Sequence, residues 1–198
     1  MAKMLSFDLS VARFANRIKQ SIGRVLSPLC KVITFSGDGG ITFIGISLLL
    51  VFFRTTRQAG LVSLLAMAIG TVIANAIVKP LVGRKRPFRT TISLFYKFWV
   101  DAGVLPAGGY SFPSGHTTAA MSFAAALFLC LPGGWVWLAF LIPIAMGFTR
   151  IYFGVHYATD VLAGMVLGLL CTLLGLFIFH RLLLWDAFAD WANSASIV

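Results

Sequence analysis

The chain has 198 residues, of which 59% are hydrophobic and only 11% charged, and it carries a formal net charge of +10. Its mean hydropathy of +0.93 is too high for a soluble domain of this length and places the chain in a bilayer. The basic residues mostly flank apolar runs or fall in one loop, as contacts with headgroups and phosphates do, so nucleic acid is not expected as a partner.

Residues 1–31 interleave Lys3, Arg13, Arg17, Lys19, Arg24 and Lys31 with apolar positions. Val11, Phe14, Ile18, Ile22 and Val25 keep helical spacing, which predicts an amphipathic helix lying in the membrane interface. No uninterrupted apolar core follows the first basic residue, so a cleavable signal is not expected. Ser36–Gly40 (SGDGG) reads as a loop with a helix start. Five apolar runs follow, at Gly39 to Phe53, Gly60 to Val78, Thr117 to Leu131, Trp135 to Phe148 and Val161 to Phe179. The first is short for a crossing of about 20 residues, while the second and last are long enough. Leu131-Pro-Gly-Gly-Trp135 predicts a tight turn between antiparallel helices. His180, beside Arg181, reads as a helix-end residue, and Trp185 and Trp191 suit an interfacial segment at the C-terminal end. Cys30, Cys130 and Cys171 lie in or beside apolar runs without metal-like spacing and read as packing residues. With no repeat and no linker, residues 1–198 form one membrane-embedded domain, an all-α polytopic helical bundle of about five transmembrane helices plus the interfacial helix.

Polar residues at the edges of apolar runs cost desolvation energy unless something uses them. Lys79 and Arg86 follow the second run, Pro113-Ser114-Gly115-His116 opens the third, Arg150 closes the fourth, and His156 with Asp160 leads into the fifth. Antiparallel spans return to the same membrane face at every second crossing, so these motifs converge on one side. Lys79, Arg86 and Arg150 can surround a phosphoryl group, arginine with a forked donor set. Free N–H groups at the helix start form an anion site that Gly115 lets a ligand approach, and Ser114 adds a hydroxyl. If the segment is helical, Asp160 lies on the same face as His156 and holds its imidazole in one tautomer. An imidazole so oriented is a competent nucleophile toward phosphorus, and His116 can protonate the departing oxygen. A metal held by these groups is not expected, because the ring of cations would repel it. Arg84, Lys85, Arg89 and Lys97 read as headgroup-binding or topology-setting charges.

The pattern K-x6-R-P from Lys79 to Pro87, P-S-G-H from Pro113 to His116 and R-x5-H-x3-D from Arg150 to Asp160 resembles the three-part signature of the type 2 phosphatidic acid phosphatase (PAP2) superfamily. The resemblance implies an integral membrane lipid phosphatase without cofactor or metal. In it His156 would form a phosphohistidine, Asp160 would orient it, and His116 would act as acid and then as base. Lys79, Arg86, Ser114, Gly115 and Arg150 would bind the substrate phosphate. Its substrate would be undecaprenyl pyrophosphate, phosphatidylglycerophosphate, phosphatidic acid or a lipid A phosphate, with the loop from Phe88 to Gly109 as selector. Alternatives on the same fold are a vanadate-binding haloperoxidase-like enzyme, against which the five apolar runs argue, and a non-catalytic lipid binder or scramblase, against which the intact His116, His156 and Asp160 argue. Two departures stand out: Thr149 occupies a position where the family usually has serine, and five runs stand where many members have six spans. The resemblance also implies a bacterial inner (plasma) membrane with the active site on its outer face, whereas the positive-inside count places that face in the cytoplasm.

Overall fold

In a computed structural model, residues 2–90 and 108–194 are described. Every regular element among them is helical, which is the all-α bundle that the apolar runs predict. Helix α1 (Ala2–Ser36) turns Asp8, Ala12, Ala15 and Cys30 inward and leaves Phe14, Ile22, Val25 and Val32 exposed. Small residues face the bundle and large apolar ones face away from it, which leaves the outer face of α1 apolar. Its backbone leaves helical geometry at Ile22 (φ −126°, ψ 16°), where the helix bends. It continues past residue 31 because no breaker intervenes before Gly37.

The SGDGG stretch forms a short 3-10 turn, Asp38–Gly40, in which Gly39 and Gly40 hold φ of +63° and +70°. That left-handed backbone suits glycine and delays α2 (Ile41–Phe52) to the second residue beyond the predicted start. Helix α3 (Arg57–Val72) runs on through a π-helical turn, Ile73–Val78, into α4 (Lys79–Val82), which ends where Gly83 adopts φ +61° and returns its N–H to the Lys79 carbonyl. Helix α5 spans Gly115–Cys130. After a 3-10 turn at Val136–Phe140 come α6 (Leu141–Tyr152), α7 (Ala158–Leu182) and α8 (Asp186–Asn193).

Two of the five predicted spans fall in stretches long and apolar enough to cross a bilayer, Arg57–Arg89 and Ala158–Leu182. Helix α5 has 16 residues, about 24 Å at 1.5 Å per residue, against a hydrocarbon core of about 30 Å. Helix α2 forms a bent pair with α1, the two meeting at 48°. The second and last runs are thus the long ones, as their lengths predict, and α5 stops short at the Leu131-Pro-Gly-Gly-Trp135 turn.

Helices α3, α5 and α7 pack together at the centre, α2 lies on α3, and α1 crosses α6 and reaches α7. Lipid tails are as apolar as leucine, so membrane helices associate through close backbone approach and hydrogen bonds. A Cβ at Gly164 or Gly168 of α7 would come within 2.7 Å of the Ser114 carbonyl oxygen or 2.6 Å of that of Thr118. Ser47 and Ser63 share a hydrogen bond of 2.8 Å between α2 and α3. At the far end, buried Arg57 donates to the Trp191, Ala192 and Ser194 carbonyl oxygens at 2.9, 3.2 and 3.1 Å, closing the C-terminus of α8 with a cation.

Candidate active site

The 3-10 turn before α2, the stretch after α4, the start of α5 and the loop between α6 and α7 surround one cavity of about 750 Å³. Lys79, Arg86, Gly115, His116, Arg150 and His156 line its polar part. Ile44 of α2 and Leu64, Met67, Ala68 and Val72 of α3 line the apolar part. All three motifs therefore reach the same cavity.

Lys79 follows the π-helical turn, which redirects the helix so that its Nζ donates to Asn75 Oδ1 at 2.6 Å. Such π turns gather at functional sites. Arg86 is spent mostly on backbone: it donates to the Gly108 oxygen at 2.8 Å from Nη2 and to the Val155 oxygen at 3.1 Å from Nη1. These bonds tie the first motif to the third. Nη1 also stands 3.2 Å from His156 Nε2. Arginine can only donate, so Nε2 accepts and the neutral imidazole carries its proton on Nδ1. Arg150 has no such backbone partners. It is 3% exposed, and its buried Nε and Nη1 have no hydrogen-bond partner among the described residues. A buried guanidinium with unpartnered donors in the wall of a cavity is the strongest mark here of an anion site.

Ser114 precedes the first turn of α5. Its hydroxyl shares a 2.9 Å hydrogen bond with Thr117 Oγ1 and is fully buried behind the cavity wall, while its amide donates to the Asp160 carbonyl oxygen at 3.0 Å. Pro113 lies one residue before that cap and outside the helix. His116, on the first turn, pairs through Nε2 with Asp38 Oδ1 at 2.7 Å. The Thr149 hydroxyl faces away from the cavity, donating to the Met146 oxygen at 2.8 Å and accepting from Thr34 of α1 at 2.9 Å.

His156 is not on a helix. It sits in the loop after α6, Tyr157 caps α7, and Asp160 occupies the third helical position with Oδ2 accepting the Tyr157 N–H at 2.9 Å. The four-residue spacing brings carboxylate and imidazole together through this cap, because an Asp at that position reaches back to the cap's N–H. His156 Nδ1 and Asp160 Oδ2 are 3.5 Å apart, close enough for an ion pair yet too long for a closed hydrogen bond. Complete burial pushes the His156 pKa down to about 3, and the Arg150 and Arg86 charges push it the same way while Asp160 opposes them. The imidazole is therefore neutral near pH 7, with its Nε2 lone pair accepting from Arg86 Nη1 at the edge of the cavity.

Three residues of this neighbourhood escape a reading by motif. Asp38 pairs with His116 from 78 positions away. Asp8 of α1, 1% exposed, accepts from Arg84 Nη2 at 2.7 Å. Arg84, read from sequence as a headgroup or topology charge, instead donates to Asp160 Oδ1 at 2.6 Å. A rare buried acid in a basic amphipathic helix was the one available signal for Asp8. Of the predicted selector loop from Phe88 to Gly109, residues 91–107 lie outside the described residues.

Residues 59–183 match the family model described as the PAP2 superfamily. The chain is 30% identical over 130 residues to an undecaprenyl-diphosphatase of Sulfolobus acidocaldarius, covering 64% of this chain and 58% of that protein. It is 35% identical over 113 residues to a lipid A 4'-phosphatase of Bacteroides thetaiotaomicron, covering 56% and 49%. The match thus spans about half the length of these curated relatives. A protein of Bacillus licheniformis named bacitracin transport permease protein BcrC is 30% identical over 84% of this chain and 77% of its own. Among solved structures, a transmembrane PAP2-type phosphatidylglycerolphosphate phosphatase of Bacillus subtilis superposes with a TM-score of 0.69 at 26% identity, covering 91% of this chain and 88% of that one. Motifs, fold and family match agree, and this integral membrane chain belongs to the PAP2 superfamily.

Proposed function

We propose that the protein is a metal-independent lipid phosphatase that removes a phosphate from a lipid phosphomonoester or diphosphate through a phosphohistidine. Buried Arg150, which lines the cavity with His156 and whose Nε and Nη1 have no hydrogen-bond partner among the described residues, carries this reading. A phosphoryl group seated there would receive the Arg150 donors, with Lys79 and Arg86 adding charge and the start of α5 at Gly115 adding amide N–H groups. Ser114 would support that helix start from behind the wall.

Once Arg86 Nη1 turns from His156 Nε2 to the bound phosphate, the freed Nε2 lone pair attacks phosphorus and forms the P–N bond as the P–O bond to the leaving group breaks. The departing oxygen takes the proton of His116. Positive charge developing on His156 is balanced by Asp160 beside Nδ1, a closer approach than 3.5 Å being needed as the imidazole becomes cationic. Water then attacks phosphorus, gives its proton to His116, and breaks the P–N bond to release phosphate. Three cations around the cavity supply the charge stabilisation for which other phosphatases use a metal. The apolar wall from α2 and α3 suits the tail of a long-chain lipid. Relatives named for undecaprenyl diphosphate and lipid A phosphates support a phosphorylated membrane lipid as substrate, and the same reading puts the protein in a bacterial inner membrane with the site on its outer face. The basic residues of α1 count toward the opposite orientation, so impermeant-maleimide labelling of a cysteine at exposed Lys85 in intact cells is the deciding measurement for sidedness.

Purified protein should release phosphate from such lipids in excess EDTA and be inhibited by vanadate. His156→Ala should abolish turnover and the acid-labile phosphoenzyme, while His116→Ala lowers the rate by roughly 10² to 10⁴. Wild-type turnover by His156→Ala, or activity lost in EDTA and restored by a divalent metal, would overturn the reading.

A further inference from the structure

The proposed chemistry leaves unexplained a cluster behind the cavity that joins α1 to the dyad. Arg84 lies between two carboxylates, both with fully buried side chains. Its Nη1 donates to Asp160 Oδ1 at 2.6 Å and to Thr159 Oγ1 at 2.7 Å, and its Nη2 donates to Asp8 Oδ2 at 2.7 Å. The guanidinium carbon stacks 3.8 Å over the Tyr157 ring. Asp8 closes the far side by accepting the Thr159 N–H at 2.9 Å and the Thr159 hydroxyl at 2.9 Å.

The geometry fixes how Asp160 faces His156. With Oδ1 held by Arg84 and Oδ2 receiving the Tyr157 N–H, the carboxylate cannot rotate without breaking a charged hydrogen bond, and Oδ2 is left as the oxygen nearest the imidazole. Arg84 alone would draw charge away from Asp160. Asp8 takes a share of that guanidinium and leaves Asp160 more available to His156. It also satisfies a free N–H in the first turn of α7, a capping role supplied here by another helix.

We propose that Arg84 and Asp8 are positioning residues for the His156–Asp160 dyad, so that the interfacial helix α1 is a working part of the active site. The inference rests on the phosphatase reading above. Neither residue touches the cavity, so the clamp acts on kcat through Asp160 and leaves substrate capture to Lys79, Arg86 and Arg150.

The full-length protein in detergent, assayed with a long-chain lipid phosphate, provides the test. Asp8→Asn, which keeps shape and removes charge, should lower kcat about 10- to 100-fold, the span for losing a group that orients a catalytic ligand from behind, with KM and the vanadate inhibition constant within about twofold of wild type. Asp8→Glu, which restores the carboxylate, should recover part of that rate. Arg84→Lys can face only one carboxylate at a time, so it should lose kcat likewise, and Asp8→Asn added to it should cost little more. His156→Ala run alongside reports on the phosphatase reading itself. With that control inactive, an unchanged kcat in Asp8→Asn overturns the clamp alone. So does a loss in which KM rises while vanadate affinity and thermal stability fall, without rescue by Asp8→Glu, which would make Asp8 a folding residue only.

Discussion

His116 and Asp38 meet through a single 2.7 Å contact in which the carboxylate is 56% exposed. A hydrogen bond so open to solvent adds little to stability. Its value is directional, since a histidine whose ring is held by a carboxylate offers its proton from one place. Asp38→Asn should therefore leave thermal stability within about 0.5 kcal/mol, as surface changes usually do. It should lower kcat by roughly tenfold or more, within the range for impairing an acid–base group, and turnover alongside a melting curve checks both parts. A wild-type kcat would reduce the contact to a surface pair. His116, Arg150, His156 and Asp160 were legible in sequence because their residue types recur at short fixed spacings. Asp38, Arg84 and Asp8 were not, because the contacts that define them join residues 76 to 151 positions apart, and no periodicity encodes such a distance.

Helix lengths follow from where polar chemistry interrupts hydropathy. The run from Gly60 to Val78 was legible as a span, but its π turn was not, since the apolar pattern continues through Ile73–Val78 and only the backbone bonds change. The turn matters because it delivers Lys79 to the cavity beside Asn75. The dyad was legible as a four-residue spacing, but a cap rather than a helix produces it. That cap is positioned by the contact of α5 with α7, where Gly164 sits against the Ser114 carbonyl and Ser114 donates to the Asp160 carbonyl. A methyl group 2.7 Å from a backbone oxygen cannot be absorbed by a flexible side chain. Gly164→Ala should destabilise the fold by about 1–3 kcal/mol and lower kcat by displacing Asp160. Gly45→Ala in α2, where a Cβ meets nothing within 4 Å, should be neutral or stabilise by up to about 1 kcal/mol. Half-times of thermal inactivation in one detergent compare the two directly, and equal half-times would contradict this account of the α5–α7 contact.

The whole molecule joins a cation-lined pocket to an apolar wall in one cavity, and the consequence is a prediction about substrates. The polar end offers any phosphate the same donors, from Lys79, Arg86 and Arg150. The wall of Ile44, Leu64, Met67, Ala68 and Val72 from α2 and α3 rewards only a ligand with a tail to lay along it. A lipid lying in the bilayer need not leave it to reach the histidines if its tail passes between helices while its phosphate moves to the end of the spans. Under the proposed mechanism, tail contacts made at a distance from phosphorus would restrict the bound phosphate to the line of attack from His156 Nε2, so that part of their energy would appear in the rate. Long-chain phosphates should then show kcat/KM roughly tenfold or more above that of a short water-soluble ester with the same headgroup, because the tail holds the phosphate at the depth of the cations and in line with His156. Bulky replacements such as Ala68→Phe should narrow that ratio, leaving the short ester little affected. Matched kcat/KM measurements across a chain-length series in one mixed-micelle system check the idea. A flat series would place the reacting lipid in water and leave the apolar wall without a role in turnover.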